Sequence, residues 1–512
     1  MLKDLVRALS LANLCFIIAW NDVLNSPIRR FNASLAIVIN VMWLSVLFWI
    51  AITLARRLDN RLFLSIARFT FPLIVLLTLN GILEIFLPHF NMYSSLTVLG
   101  LAAVTVGLFE IAPWHRYIIR AADTFVLVLF PFFLIAISQS SWHLINHPVK
   151  PQVPVFNTGS QSGKRVLWLL FDEMDQQVAF SDRPATLRLP ELDRLRSQAL
   201  YATNAYSPSD STPVSMPAFI TGKLLSNTKL VNESKLIITF ADSEKSVDWG
   251  TQPNLFSKAR EAGFNTTLIG WYLPYCSLIG WSLTNCSWMD TESASLAECV
   301  SKQIQDLACT VPIASKFVVA NGIEAKKRRE RKKFAESYIG TLNEAEKAIC
   351  DPNFGFVLVH WPVPHPPGIY DRRKEEFEIE GKGSYVDNLQ LVDRALGALR
   401  RKMEDSGTWD DTNVLLTSDH WWRTGIWRPT DTWSDEDSTT LKDDRDHRVP
   451  FLLKLAGQKN QVQYDPVFNN ILLHDLILAL LNSQLSSANN VVEWLNQNRS
   501  IGDSPYRFEV PN

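Results

Sequence analysis

The sequence predicts a chain of two parts, an N-terminal α-helical membrane bundle and an α/β domain with a central, mostly parallel sheet. Three observations support this fold class. Long apolar runs are confined to about the first 140 of the 512 residues. Beyond them, short apolar runs rich in β-branched residues alternate with helical patterns, which is typical of a parallel sheet covered by helices. Residues 141–164, between the two parts, are rich in Ser, Pro, Gly and Asn and are typical of a linker.

The N-terminal part contains five apolar segments, each near the roughly 20 residues that cross a hydrocarbon core. They lie at about residues 8–25, 34–55, 69–88, 94–113 and 121–139. Asn13, Asn21 and Asp22 interrupt the first segment, which also resembles a signal peptide. Because no small-residue cleavage site is evident and four more segments follow, we expect an uncleaved helix. Residues 1–140 are therefore predicted to form a transmembrane domain of about five helices.

The distribution of positive charge predicts the orientation of this bundle. If the N-terminus is cytoplasmic, eight Lys and Arg residues lie on the inner side, whereas the outer loops carry only Arg29 and Arg30. Five crossings then place residues 165–512 outside the cytoplasm, on the periplasmic side of the cell's inner membrane. The five cysteines of this domain are compatible with disulfides in an oxidising compartment, but their spacing does not define the pairing. The net charge of −2 gives no indication of a nucleic-acid partner.

Five apolar runs of the C-terminal part predict strands, at residues 165–171, 266–272, 354–361, 413–419 and 449–455. In sheets of this kind, ligands bind beyond the carboxyl ends of the strands. Polar residues lie near the ends of three of these runs: Asp172, Glu173, His360, His365, Asp419 and His420. A hard divalent ion prefers carboxylate oxygens, and zinc or manganese also accepts imidazole. The pattern therefore predicts a metal site at one edge of the sheet.

The segment SPSDSTPVSMPAFITGK, residues 207–223, places a cluster of hydroxyls in front of a helical pattern. Such residues commonly cap a helix by accepting hydrogen bonds from its free N–H groups. Alternatively, one hydroxyl is a nucleophile at the helix N-terminus, where an anion is favoured. A metal ion would lower the pKa of such a hydroxyl and direct its alkoxide.

The order of these motifs resembles that of the alkaline phosphatase/sulfatase superfamily. The motifs are a strand followed by Asp, then T-x-x-S-x-P-x-x-x-TG, PHPP, YVDNLQLVDRALG and TSDH. Five spans followed by an outer catalytic domain also resemble the plan of lipoteichoic acid synthase and related phosphoglycerol or phosphoethanolamine transferases. The resemblance implies an alkaline phosphatase-like, sulfatase-like catalytic domain over residues 165–512. It also implies a divalent metal ion (Mn, Zn, Mg or Ca) at one site, whereas a second site remains open.

The resemblance assigns roles to individual residues. Thr212 lies ten residues before Gly222, where sulfatases have their nucleophile and nucleotide pyrophosphatases have Thr. Ser211 is the alternative nucleophile. The implied metal ligands are Asp172, Glu173, Thr212, Asp419 and His420. The implied substrate-binding residues are Ser215, His360, His365 and His447.

Departures from the family pattern narrow the expected activity. Sulfatases have Cys or Ser at the nucleophile and Arg four residues later, whereas this chain has Thr212 and Met216. Because formylglycine cannot form from Thr, we do not expect sulfatase activity. Trp421 also replaces the usual Gly after SDH.

The expected function is a metal-dependent phosphotransferase integral to the membrane. It would move a phosphoglycerol or phosphoethanolamine type of substituent from a membrane phospholipid to a glycan or lipid acceptor, through a phospho-threonine intermediate. The alternatives are a periplasmic phosphodiesterase or phosphatase, with water as acceptor, and an inactive sulfatase-like binding module on a membrane scaffold. Residues 421–447 are predicted to form a long loop with four tryptophans, which favours a glycan acceptor because Trp faces stack on sugar rings.

Overall fold

The structure is a computed structural model. It describes residues 2–28, 30–57, 100, 124, 127–128, 130–145, 155, 165–291, 293–309, 312–440 and 446–499. Contacts divide the chain into two compact units. The first contains residues 1–147 and 293–326, and the second contains residues 148–292 and 327–512.

The described part of the first unit is helical. Its N-terminal helices are Leu2–Cys15, Ile17–Asn25, Phe31–Arg57 and Phe130–Ile145. Phe31–Leu54 is long and apolar enough to cross a membrane and contains nearly all of the second predicted span. The first predicted span, 8–25, is divided between two helices, and the fifth, 121–139, is described in part. The predicted spans at 69–88 and 94–113 lie outside the described residues.

A segment from the C-terminal half of the sequence also belongs to the first unit. Helix Leu296–Cys309 packs against helix Phe31–Arg57. Asn40 donates a hydrogen bond to Gln303 Oε1 at 2.9 Å, and Gln303 donates one to the carbonyl of Ala33 at 3.0 Å. Both amides are buried, so these bonds satisfy polar groups that would otherwise be costly at the contact between the two helices. The predicted catalytic domain, residues 165–512, includes this segment.

The second unit is built around a mixed, mostly parallel sheet. Its strands are β1 Arg165–Asp172, β2 Leu200–Tyr206, β6 Asn265–Trp271, β7 Asn285–Met289, β8 Phe354–Pro364, β11 Thr412–Ser418, β12 Arg448–Lys454, β13 Val462–Tyr464 and β14 Phe468–Asn469. The strand order is β13-β2-β12-β11-β1-β8-β6-β7, and β14 pairs with β2. β12 runs antiparallel to both neighbours, and the other pairs of this sheet are parallel.

Two smaller sheets complete the strands of this unit. They comprise β3 Leu225–Asn232, β4 Lys235–Phe240 and β5 Ser246–Asp248, and β9 Tyr370–Asp371 with β10 Glu376–Phe377. The five strands predicted from the sequence are all present, and the predicted fold class is confirmed.

Helices cover both faces of the main sheet. They are Pro190–Ser197, Thr212–Thr221, Leu255–Glu261, Tyr275–Leu278, Tyr385–Asp405, Thr424–Trp427, Asp435–Thr440, Leu473–Leu481 and Ala488–Asn498, together with residues 327–350 of helix Pro312–Cys350, whose residues 312–326 belong to the first unit. Short 3-10 turns lie at Trp249–Thr251, Gly280–Ser282 and Asn470–Leu472, and a π turn lies at Gln177–Ser181. Along β1, Trp168 and Leu170 pack into one hydrophobic core, whereas Leu169 and Phe171 pack into the other. Because both faces of the strand are buried in this way, its sequence is a continuous apolar run.

A disulfide joins Cys276 to Cys286. It connects the short helix that follows β6 to the neighbouring strand β7. The cysteine content of the sequence is compatible with disulfides in this domain, and the structure adds a pairing that the spacing does not define.

Candidate active site

The carboxyl ends of β1, β11 and β8 converge at one place. Phe171 of β1 pairs with Ser418 of β11, so the next residues of both strands, Asp172 and Asp419, emerge side by side. On the other side of β1, His360 of β8 pairs with Leu170. The edge predicted from the sequence is therefore formed.

Thr212 points into this group. It is the first residue of helix Thr212–Thr221 and is 3% exposed. Its Oγ1 donates a hydrogen bond to Asp419 Oδ2 at 2.6 Å and lies 3.4 Å from Asp172 Oδ2 and 3.3 Å from His420 Nε2. Ser211 precedes the helix, and its side chain makes no capping hydrogen bond. The Thr212 hydroxyl thus faces the acidic group instead of capping its helix.

The residues present fit a divalent cation. One ligand atom each from Asp172, His360 and Asp419 lies within 4.8 Å of the others, and all three side chains are buried. Asp172 Oδ1 and His360 Nε2 have no hydrogen-bond partner within the described part of the chain. Buried polar atoms without partners are costly and uncommon, and a cation would satisfy both.

Electrostatics also favour a cation at this position. Burial raises the pKa of Asp172 well above its usual range, and the charges of Asp419 and Glu173 raise it further. Burial acts on Asp419 in the same direction, but the neighbouring His420 and His360 and the hydrogen bonds from Thr212 and the Glu173 peptide N–H lower the pKa of Asp419 overall. A divalent ion would allow both carboxylates to ionise together.

His420 presents one ring nitrogen to the site. Its Nδ1 lies 3.0 Å from the carbonyl oxygen of Trp421, which can only accept a hydrogen bond, so Nδ1 carries the N–H. Nε2 then carries the lone pair, and it lies 3.5 Å from Asp172 Oδ1. The Ser418 hydroxyl lies within hydrogen-bond distance of the carbonyls of Phe171 and His420, which ties the two strand ends together.

Glu173 is engaged by groups that the sequence did not indicate. Its φ of 60° is in the left-handed region, which is uncommon for a residue other than glycine. Arg423 Nε donates to Glu173 Oε1 at 2.6 Å, and Trp427 Nε1 lies 2.8 Å from Oε2. His420 Nδ1 is 3.9 Å from Oε1. The metal-ligand role of Glu173 therefore stays a prediction.

The predicted substrate-binding residues lie in different surroundings. His365 donates its peptide N–H to the carbonyl of Asp172 at 3.1 Å. Its ring is enclosed by Trp271, Phe334 and Trp427, with centroid separations of 5.2, 5.9 and 5.0 Å. Burial lowers the pKa of His365, which favours a neutral imidazole.

Ser215 and His447 do not contact the Thr212 hydroxyl in any described hydrogen bond. Ser215 is fully buried and donates to the carbonyl of Ser209 at 3.1 Å, which stabilises the turn before the helix. The His447 ring stacks on Trp421 at a centroid distance of 4.0 Å. Their roles in substrate binding stay predictions.

The predicted tryptophan loop contains two short helices, Thr424–Trp427 and Asp435–Thr440. Its tryptophans contact other protein groups. Trp422 is 1% exposed, and its ring stacks on Tyr385 at 4.0 Å and on Trp433 at 5.1 Å. Trp422 therefore belongs to the core and does not offer a free face to a sugar.

A model of the sulfatase family matches residues 164–483. Among solved structures, the chain is similar to lipoteichoic acid synthase LtaP from Listeria monocytogenes, with 14% sequence identity and a TM-score of 0.39. This similarity covers 64% of this chain and 75% of that chain. It is also similar to phosphonate monoester hydrolase of Agrobacterium radiobacter, with 14% identity, coverage of 62% and 74%, and a TM-score of 0.37.

A protein in the alkaline phosphatase superfamily from Vibrio parahaemolyticus shows 16% identity, coverage of 65% and 68%, and a TM-score of 0.39. No curated protein sequence matches the chain. The sulfatase model spans more than half of the chain, including both strand ends and the Thr212 helix. The protein therefore belongs to the sulfatase family and is an enzyme of the sulfatase-like kind.

Proposed function

We propose that this protein is a membrane-anchored, metal-dependent phosphotransferase whose nucleophile is Thr212. One observation carries the proposal: the buried Thr212 hydroxyl lies 2.6 Å from Asp419 and 3.4 Å from Asp172, the two carboxylates best placed to hold a cation. Thr cannot give formylglycine, and Met216 is buried in the hydrophobic core where sulfatases have Arg. These two residues favour phosphoryl over sulfuryl transfer.

The chain's own residues can carry the two steps of this transfer. Asp172, Asp419 and His420 would hold the cation, which would supply Lewis acidity that lowers the pKa of the Thr212 hydroxyl. Asp419 Oδ2 accepts the hydroxyl hydrogen bond and so orients Oγ1 toward the donor. Oγ1 then loses its proton and forms a bond to phosphorus while the bond from phosphorus to the lipid alcohol breaks, and the leaving alcohol takes up one proton. An acceptor hydroxyl then loses its proton and attacks the same phosphorus, the bond from phosphorus to Oγ1 breaks, and Oγ1 regains a proton.

We further propose that residues 165–512 form an extracytoplasmic domain on a multi-pass bundle in the inner membrane. The apolar helix Phe31–Leu54 supports attachment to a membrane. The Cys276–Cys286 disulfide supports an oxidising compartment. A membrane phospholipid is then the nearest donor, and a glycan or lipid the acceptor. In the first alternative, water is the acceptor and the enzyme is a phosphodiesterase. In the second, the domain is an inactive binding module and binds no stoichiometric cation.

Intact-mass spectrometry tests the proposal. The full-length protein, incubated with bacterial phospholipids and manganese or zinc, is expected to gain the mass of one phospho-substituent, phosphoglycerol or phosphoethanolamine. Thr212→Ala should gain none, whereas the neighbouring Ser211→Ala should still gain it. Headgroup release without an adduct would favour the hydrolase. An adduct that persists in Thr212→Ala would exclude Thr212 as the nucleophile.

A further inference from the structure

His360 occupies a position that its predicted role in substrate binding does not explain. It lies on β8, it is fully buried, and its Nε2 has no hydrogen-bond partner within the described residues. That nitrogen lies 3.8 Å from Asp172 Oδ2. On the opposite side of the ring, Nδ1 lies 2.9 Å from the hydroxyl oxygen of Tyr275.

We propose that His360 is a nitrogen ligand of the cation at the Thr212 site, and that Tyr275 is the positioning residue that sets its tautomer. The inference rests on the proposed function only in assuming that a cation binds there. It does not depend on which group is transferred or to which acceptor.

Cation binding through Nε2 requires the tautomer that carries its proton on Nδ1, because the Nε2 lone pair must be free. A neutral imidazole carries one N–H. If Nε2 carried it, a buried donor would lack an acceptor, because 3.8 Å is beyond hydrogen-bond distance. If Nδ1 carries it, the Tyr275 oxygen accepts a hydrogen bond from that N–H, and the Nε2 lone pair faces Asp172, as a cation bound at Nε2 would require. Histidines that bind metals commonly donate their other N–H in this way, which fixes the ring.

Tyr275 is held in place from several sides. Its ring packs edge-to-face on Trp249 at 6.3 Å and is fully buried. A Cβ at Gly270 would lie 2.7 Å from Tyr275 Cε2, so only glycine allows this close approach of β6. The next residue, Cys276, is bonded to Cys286 on β7. The phenol is therefore a fixed support for the imidazole.

A second imidazole changes the class of metal that the site favours. With His360 and His420, the site offers two nitrogen donors beside the oxygens of Asp172, Asp419 and Thr212. Calcium and magnesium prefer sites made of oxygen ligands, whereas manganese and zinc accept imidazole. We therefore assign the site to manganese or zinc.

Metal binding to the full-length protein in detergent tests the inference without measuring turnover. The metal-depleted protein is titrated with manganese and with calcium, and pulsed EPR of bound manganese detects coupled imidazole nitrogens. Wild type should show two such nitrogens. His360→Gln should show one, and its preference for manganese over calcium should fall by at least about tenfold. Tyr275→Phe should weaken manganese binding by about 10- to 100-fold, because a supporting hydrogen bond is lost.

Tyr272→Phe is the matched control, because Tyr272 is nearby in sequence and is 47% exposed. Its manganese affinity should equal that of wild type, and circular dichroism should show that all variants are folded. An unchanged nitrogen coupling and an unchanged metal preference in folded His360→Gln would overturn the inference. Two coupled nitrogens in a protein that forms no Thr212 adduct would support it and count against the proposed transferase. Absence of stoichiometric metal in wild type would overturn both.

Discussion

Thr212→Ala is expected to lower turnover of phospholipid vesicles by at least about 10⁴-fold, because it removes the atom that would form the covalent intermediate. The vesicles contain phosphatidylglycerol or phosphatidylethanolamine, and headgroup transfer or release is measured. Metal content should fall much less than turnover, since Thr212 contributes only one donor oxygen and Asp172, Asp419 and the two nearby imidazoles are unchanged. A large loss of turnover without a matching loss of metal shows that the variant lacks the nucleophile and still binds the cation.

Two variants control this result. Thr212→Ser keeps a hydroxyl at the same position and should retain measurable turnover. Ser211→Ala removes the adjacent hydroxyl, which makes no capping bond, and should have a small effect. If Thr212→Ala kept more than about a tenth of wild-type turnover, a different group would have to be the nucleophile.

Arg423→Met is expected to give the largest loss of stability among changes around the site. Glu173 is fully buried, and Arg423 Nε is 2.6 Å from its carboxylate. Removing the guanidinium leaves a buried charge without its partner, which costs about 3–5 kcal/mol in the free energy of unfolding. Urea unfolding of the full-length protein in detergent, followed by tryptophan fluorescence, measures this change as a lower midpoint at unchanged slope.

A double variant distinguishes the effect of the unpaired charge on stability from the effect of lost side-chain packing. Arg423→Met combined with Glu173→Gln no longer buries an unpaired charge and should recover most of the lost stability. Lys459→Met is the surface control, because Lys459 and Asp410 pair at 2.7 Å with more than half of each side chain exposed. Lys459→Met should lower the free energy of unfolding by less than about 1 kcal/mol. If Arg423→Met and Lys459→Met lowered the free energy of unfolding equally, the buried pair of Arg423 and Glu173 would contribute no more to stability than a surface pair.

The sequence predicted the sheet well because its strands are covered on both faces. Such strands are continuous apolar runs, and the five predicted ones are all present. The antiparallel direction of β12 was not predicted, since strand direction depends on pairing with β2 and β11. β2 itself was missed, because LYATNAY mixes apolar and polar residues and its partners lie far away in sequence.

The site residues that lie at the ends of strands could be predicted from the sequence. Asp172, Asp419 and His420 come directly after strands β1 and β11 or at their ends, and their meeting follows from the register. Tyr275 gave no signal in the sequence, because its role depends on β6 lying beside β8. Arg423 follows His420 by three residues, and a cation so close to a cluster of acids could have been suspected as the partner of Glu173.

The position of the Cys276–Cys286 bond has a consequence for how the enzyme matures. The bond clamps the turn that carries Tyr275, and Tyr275 in turn supports His360. While the domain is still in a reducing cytoplasm, this turn is unclamped, and we expect the centre to retain its metal weakly. Export and oxidation would then complete the centre. If the domain is extracytoplasmic and the donor is a membrane lipid, as proposed, activity would be withheld until after export, which would protect cytoplasmic lipids during biosynthesis.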